Sequence, residues 1–451
     1  MSMAGLAAEA TRENGEGETE KRGHEEGFRP DFTHQLFDEE RIEGFEEGGV
    51  AIRVLYTPTS LDFLVKIQTA DNDGARAGDV MSRLSKALPP DNYTTDEPSF
   101  YQQLERRQKG FKPPGARVHA YSRRKKTFSV YRATGEDPGA CEYHGRAQCL
   151  APWFIEAADG IDLTDDRWEV FYLFRDEEEP PEREVLGEKW RPAALVGYFT
   201  VFGFRNPVKG VSLRVCQALV LPQFQRQGHG QALLAFLYGL ARSRDSVFEI
   251  TVEDPAPGFE KVRNLVDART LLELDVFPAD VLAPAEFKRP SKGVVQAARD
   301  ASKLTVSQVE IGFDILKARD IVPGEIDGAG SAVQAAVTPP SSKTTVATSS
   351  RSSEANPSCE NTAPAAATTK TAKAGAAACA ALSSGDGGNN NEEVEIVDDR
   401  RKRYRLMVKR RLLKRHGEEL STDASTRKRQ LEELYRDVEA DLLRSGAKLR
   451  K

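Results

Sequence analysis

No run of apolar residues in this 451-residue chain is long enough to cross a bilayer, and its N-terminal region is polar and acidic, without the hydrophobic segment expected of a secretory signal. No membrane association is expected, and the nucleus and cytoplasm are the expected compartments. Cysteine is equally sparse. The five residues Cys141, Cys149, Cys216, Cys359 and Cys379 are odd in number and scattered, so they imply no disulfide framework. Cys141, His144 and Cys149 could supply three metal ligands, but no fourth stands nearby, and no metal is expected. Two nucleotide signatures are also missing: the Gly-Lys-Ser/Thr of a P-loop, and the third glycine of a dinucleotide fingerprint. Large apolar side chains nearly vanish between about residues 328 and 391, where Ala, Ser, Thr, Gly and Pro take over. Such a segment cannot bury enough surface to offset its ordering entropy. A disordered low-complexity linker is therefore expected over 328–396, and a disordered N-terminus over 1–27.

The remainder is ordinary globular material. With 39% hydrophobic and 30% charged residues over this length, the chain can bury more than one core. Its charge is unevenly spread: residues 400–451 carry a net +10 in a chain of net −6, which leaves −16 for the rest. Leu431, Leu434, Tyr435, Val438 and Leu442 share one helical face, so a basic, helical C-terminal segment is expected over 397–451. It could pack on the body, or contact nucleic acid, or serve nuclear import.

The most informative stretch runs from Val215 to Gly230, inside a strand, loop and helix that extend from Leu213 to Ala241. Leu213, Val215, Gln217, Leu219 and Leu221 alternate with Arg214, Cys216, Ala218 and Val220, the pattern of a strand covered on both faces. Pro222 ends it by withholding a ladder N–H. Leu233, Leu234, Leu237 and Ala241 then recur at helical spacing, so a helix begins near Gly228. Its unpaired N–H groups and positive dipole end face the loop Gln225-Arg226-Gln227-Gly228-His229-Gly230-Gln231, and such an end binds anions. Glycines at 228 and 230 let backbone approach a pyrophosphate closely.

Phe248 to Val252 reads as a second strand with Glu253 and Asp254 at its carboxyl end, stopped by Pro255. Ligands collect outside such strand ends. A carboxylate there could take the proton from a lysine ammonium, whose pKa of about 10.4 leaves it no free lone pair at neutral pH. The plainer alternative is a solvated turn. Cys216, the one cysteine nearby, reads as a small hydrophobe.

Gln225-x-x-Gly228-x-Gly230 resembles the coenzyme A loop of the Gcn5-related N-acetyltransferase fold. With Gln217 to Pro222 and Ile250 to Pro255, it is similar to the catalytic subunit of type B histone acetyltransferases. Phe32-Thr33-His34-Gln35-Leu36-Phe37, Trp153-Phe154-Ile155-Glu156, Asp166-Arg167-Trp168 and Val196 to Phe202 extend that resemblance, in consistent order, over roughly residues 28–322. The resemblance implies an α+β fold with a mixed, mainly antiparallel central sheet flanked by helices. Its implied parts are an N-terminal α/β domain over 28–155, an acetyltransferase core over 156–278 and a C-terminal helical region over 279–327. It further implies acetyl-CoA as cosubstrate, held by Ala218, Leu219, Val220, Gln225 to Gln231, Ala256 and Leu265. Glu253 would be the general base, supported by Asp254. Glu39, Glu40, Trp168, Phe202, Gly203 and Phe204 would bind a histone tail, although Arg41 stands at the third of the family's acidic positions. The implied substrate is free, newly made histone four, and the implied partner a WD-repeat histone chaperone. Transfer to another amine, or a catalytically silent module that binds histones or nucleic acid, are the alternatives.

Overall fold

The computed structural model describes residues 2–5, 27–37, 42, 45, 49–70, 74–109, 111–176, 192–283, 287–321 and 389–450. They divide into two units, 1–324 with 399–451, and 325–398; of the second, only 389–398 are among the described residues. The expectations for residues 6–26 and 328–388 lie outside the described residues.

Two sheets organise the first unit. The smaller has the order β1–β2–β3–β4, built from Ser2–Gly5, Val50–Tyr56, Phe63–Thr69 and Tyr93–Thr94. The larger has six strands: β5 (Ala116–Arg123), β6 (Lys126–Ala133), β7 (Trp168–Asp176), β8 (Pro192–Asn206), β9 (Gly210–Val220) and β10 (Val247–Val252). They lie in the order β10–β9–β8–β7–β6–β5, every pair antiparallel except β10 with β9. With helices α1 (Gly74–Leu84), α2 (Glu97–Lys109), α3 (Ala140–Ala147), α4 (His229–Ser243), α5 (Pro257–Glu273), α6 (Ala279–Leu282), α7 (Lys292–Ser302) and α8 (Val306–Ala318), the architecture is mixed α+β. This sheet takes two strands from before residue 155 and four from after it, so it runs across that expected boundary.

Burial explains the pattern. Val170, Phe171, Tyr172, Leu173 and Phe174 on β7 are buried in succession, as a central strand covered on both faces requires. Helix α4 (His229–Ser243) covers one face, with Leu233, Leu234, Leu237, Tyr238 and Ala241 turned inward. Its C-terminal end is pinned where Arg244 and Arg132 both donate to Glu169. Burial pushes the Glu169 carboxyl upward, but those two guanidinium bonds prevail and hold it below its usual range. Helix α5 (Pro257–Glu273) joins α4 through Tyr238, whose hydroxyl donates to Asp267 at 2.6 Å. Gln308 of α8 (Val306–Ala318) donates to the same carboxylate at 3.1 Å. The small sheet meets the large one through the turn after β2. Leu195 N–H donates to Pro58 C=O at 2.7 Å, and the Tyr143 hydroxyl to Thr59 C=O at 2.9 Å.

The basic C-terminal segment forms two helices, Asn389–His416 and Ala424–Lys448, and residues 399–450 pack on the body. Tyr404, Met407, Val408, Leu412, Tyr435 and Leu442 are buried there. Asp314, fully buried on α8, accepts from Arg411 at 2.6 Å and from Arg289, while the Tyr404 hydroxyl donates to its backbone carbonyl at 3.1 Å. Removing one member of such a group strands the others as unpaired buried charges. Asp314→Ala is therefore expected to cost about 3–5 kcal/mol in urea denaturation. An unchanged midpoint and slope would contradict this.

Candidate active site

Strand β9 pairs with β10 along only half its length. The register runs from Val247 opposite Val211 to Val252 opposite Val215, and the last bond is Glu253 N–H to Val215 C=O at 2.9 Å. β10 then ends. β9 continues to Val220, paired only with β8 on its other side. Leu221 N–H donates to Val196 C=O and Gln217 N–H to the Thr200 hydroxyl, so 217, 219 and 221 turn toward β8. By alternation, the backbone groups of Ala218 and Val220 point to the edge that β10 has left open. Val220 C=O is taken by the Gln225 side chain at 3.0 Å. The strand is not covered equally on both faces, as its apolar alternation suggests. Leu213, Val215, Gln217 and Leu219 are buried, whereas Arg214, Cys216, Ala218 and Val220, on the other face, are only half-buried.

The loop after β9 delivers a helix terminus to the same place. Pro222–Phe224 makes a single 3₁₀ turn, Arg226 and Gly228 take positive φ of 56° and 84°, and α4 starts at His229. Gly228 offers no capping side chain, so the first-turn N–H groups of α4 lack one. A Cβ at Gly230 would find only Val220 Cγ2, at 4.0 Å, so this side of the terminus is open to a ligand. The loop is anchored on two sides: the Gln223 amide donates to the Tyr56 hydroxyl at 3.0 Å, and Arg123 donates to Gln227 C=O. Burial, eased by the Gln223 bond, pushes the Tyr56 hydroxyl up to about 12.

Glu253 projects beside this edge with its side chain 45% exposed, and the Arg214 guanidinium stands 3.5 Å from its carboxylate. Asp254 follows at φ 26°, exposed. Burial, then the hydrogen bond and charge of Glu253, push the Cys216 thiol up to about 12, which leaves no thiolate to act as nucleophile at neutral pH. Across the strands, Trp168 is paired with Phe202 and Phe202 with Arg214. The rings of Trp168, Phe202 and Phe204 form a ladder with successive centroids 4.7 Å apart. Arg167 lies over Phe202 at 4.6 Å and Arg214 over Phe204 at 4.4 Å. Phe204 is 41% exposed, whereas Trp168 is half-buried against the core, so the ladder opens to solvent at its Phe204 end. Gly203 lies between, its N–H donating to Arg167 C=O.

The sequence-derived residues are thus partly gathered. Ala218, Val220, Gln225 to Gln231, Glu253 and Asp254 surround the open edge, and the Trp168–Phe204 ladder leads to it through Arg214. Ala256 is the exposed residue preceding α5, while Leu265 is buried in the core and Leu219 turns toward β8. Glu39 and Glu40 lie outside the described residues. His144 is buried with Nδ1 3.0 Å from the Tyr172 hydroxyl, while Cys141 and Cys149 face separate backbone carbonyls. Sequence reasoning missed Arg214, Arg123 and Arg269. Only the basic run from Arg123 to Lys126 carried a local signal.

His229 opens α4 yet is buried against Phe128, with Nδ1 2.8 Å from the Tyr121 hydroxyl. Burial, reinforced by the charges of Arg123 and Arg124, lowers its imidazole from 6.5 to about 4. An unfolded chain would bind a proton between these values that the native one refuses. The imidazole therefore costs no stability above pH 6.5 and an increasing amount as the pH falls toward 4. A ¹⁵N NMR titration should show His229 neutral until the pH nears 4, whereas a midpoint at 6.5 would contradict its burial.

The family model described as the histone acetyl transferase HAT1 N-terminus matches residues 6–156. A histone acetyltransferase type B catalytic subunit of Mycosarcoma maydis is 30% identical over 319 residues, covering 63% of this chain and 69% of that protein. One from Rattus norvegicus is 33% identical over 267 residues, 56% of this chain and 61% of its own. One from Dictyostelium discoideum is 28% identical over 302 residues, 64% and 61% respectively, so the match spans about three fifths of the length of several of these relatives. On these matches, the chain belongs to the family of histone acetyltransferase type B catalytic subunits.

Proposed function

We propose that the protein transfers the acetyl group of acetyl-CoA to lysine ε-amines on the N-terminal tail of free, newly made histone four, by direct attack in a ternary complex. One observation carries this reading: the unpaired half of β9, the uncapped terminus of α4 and the Glu253 carboxylate meet at one end of the sheet. The parallel β9–β10 pair that parts company at Val215 supports a Gcn5-related N-acetyltransferase fold.

The residues fit the cosubstrate. Bound acetyl-CoA would supply an acetyl group activated as a thioester. The Ala218 and Val220 N–H groups are the donors on offer to an amide-bearing arm laid along β9, and to charge growing on a carbonyl oxygen there. The first N–H groups of α4, from His229 to Gln231, would hold a diphosphate. Glu253 accepts the proton that a lysine ammonium must lose before its nitrogen can attack, directly or through a water. Arg214 sits where that ammonium would approach, so the incoming cation competes with it for the carboxylate. Asp254 adds negative charge beside the same point. No thiolate is available at Cys216, which supports attack without a covalent acyl-enzyme.

The substrate class is supported by the relatives, whose names describe histone acetyltransferases. The aromatic ladder from Trp168 to Phe204 gives a histone tail apolar and cation-stacking contacts on its way to Glu253. A WD-repeat histone chaperone as partner, and residence in nucleus and cytoplasm, complete the proposal by resemblance.

The test is incubation with acetyl-CoA and free histone four, nucleosomes or polyamines in parallel. Free histone should be the preferred acceptor, and Glu253→Gln should slow its acetylation by about 10² to 10⁴. Preference for nucleosomes or polyamines would overturn the substrate, and an unimpaired variant would overturn the base.

A further inference from the structure

The turn between β5 and β6 reads Arg123-Arg124-Lys125-Lys126, and the site as described uses only the bond from the guanidinium of its first residue to the Gln227 carbonyl. It is a tight reversal: Arg123 pairs with Lys126 across it, and Arg124 and Lys125 take positive φ of 49° and 63°. Those two positions ordinarily favour Asn and Gly, so two long cations stand there against local preference.

The turn lies on the anion loop. The Arg123 guanidinium donates to Gln227 C=O and occupies the space beside Gly228 where a Cβ would point. The charges of Arg123 and Arg124 both reach the His229 ring. From helix α5, Arg269 donates to the Gln231 side chain at 3.4 Å and feels the charge of Arg123. Guanidinium groups from the β5–β6 turn and from α5 therefore converge on the positive end of α4, where the helix dipole repels cations. Among the described residues, neither Arg123 nor Arg124 has an ion-pair partner. Like charges gathered at the wrong end of a dipole are balanced by an anion with more charge than the helix amides alone would recruit.

We propose that this turn, opposed by Arg269, is a second anion clamp that binds a phosphate monoester of the acyl carrier, the 3′-phosphate on the ribose of coenzyme A. It rests on the acetyl-CoA reading above and adds a division of labour. The α4 amides take the diphosphate, and the side chains take the monoester, whose charge of about −1.5 to −2 at neutral pH suits paired guanidinium groups. Arg123, tied to Gln227, fixes the turn against the loop, and Arg124, exposed at its tip, is free to close on the phosphate.

Isothermal titration of the full chain with coenzyme A and with dephospho-coenzyme A, which lacks only that monoester, tests the clamp. The parent should bind coenzyme A at least about tenfold more tightly than the dephospho form. Arg124→Gln should erase most of that preference by weakening coenzyme A binding while leaving dephospho-coenzyme A within about twofold, and Arg124→Lys should retain much of it. Unchanged binding of the dephospho form also shows that the variant is folded. Equal affinities in the parent, or equal losses for both ligands in Arg124→Gln, would overturn the clamp and leave the acetyl-CoA reading standing. Failure of the parent to bind either ligand would overturn both.

Discussion

Everything at this site depends on where β10 stops. A parallel pair satisfies its backbone groups only while both strands continue, and here the ladder closes at Glu253 N–H to Val215 C=O while β9 runs on through Val220. Exposed N–H and C=O groups on a strand edge are templates for another chain or an amide-bearing ligand. Pro255 and the turn at Asp254 keep β10 from extending across them, and the same termination sets Glu253 beside Cys216 and Arg214. The chain break in pairing and the position of the carboxylate are thus one structural event.

Around that opening the molecule is closely packed on the side away from the open edge. Buried aromatic residues of β7 and β8 and the inner face of α4 form a continuous core, and Glu169 ties the far end of α4 to β6 and β7. The Asp267 carboxyl, which burial pushes up to about 6, links α4, α5 and α8 through Tyr238 and Gln308. Helices presented in this way can hold their first N–H groups in place without a capping side chain. The orphan donors that would weaken an isolated helix become the means of binding an anion.

The strand, loop and helix from Leu213 to Ala241 were legible because each is a local pattern: period two, then a proline and two glycines, then an apolar stripe at helical spacing. Glu253 was legible for the same reason, at the end of a short strand before Pro255. The contacts between distant segments were not. Arg123 reaches Gln227 across 104 positions and Arg411 reaches Asp314 across 97, and no periodicity records such pairings. The apolar alternation of β9 likewise suggested equal cover on both faces. Hydrophobicity cannot distinguish a face covered by protein from one that stays half open beside an unpaired edge. For the basic C-terminus, composition left packing, nucleic-acid contact and nuclear import all open. The buried Tyr404, Arg411 and Tyr435 show that packing claims its inner face.

The central claim is that the open edge of β9 and the start of α4 receive the acyl carrier through backbone groups. Amide hydrogen exchange with and without coenzyme A measures those groups directly. The account predicts slowed exchange at Ala218 to Val220 and at His229 to Gln231, with little change from Val211 to Val215, where β10 already pairs. Ligand binding that leaves Ala218 to Val220 exchanging at the free rate would contradict it.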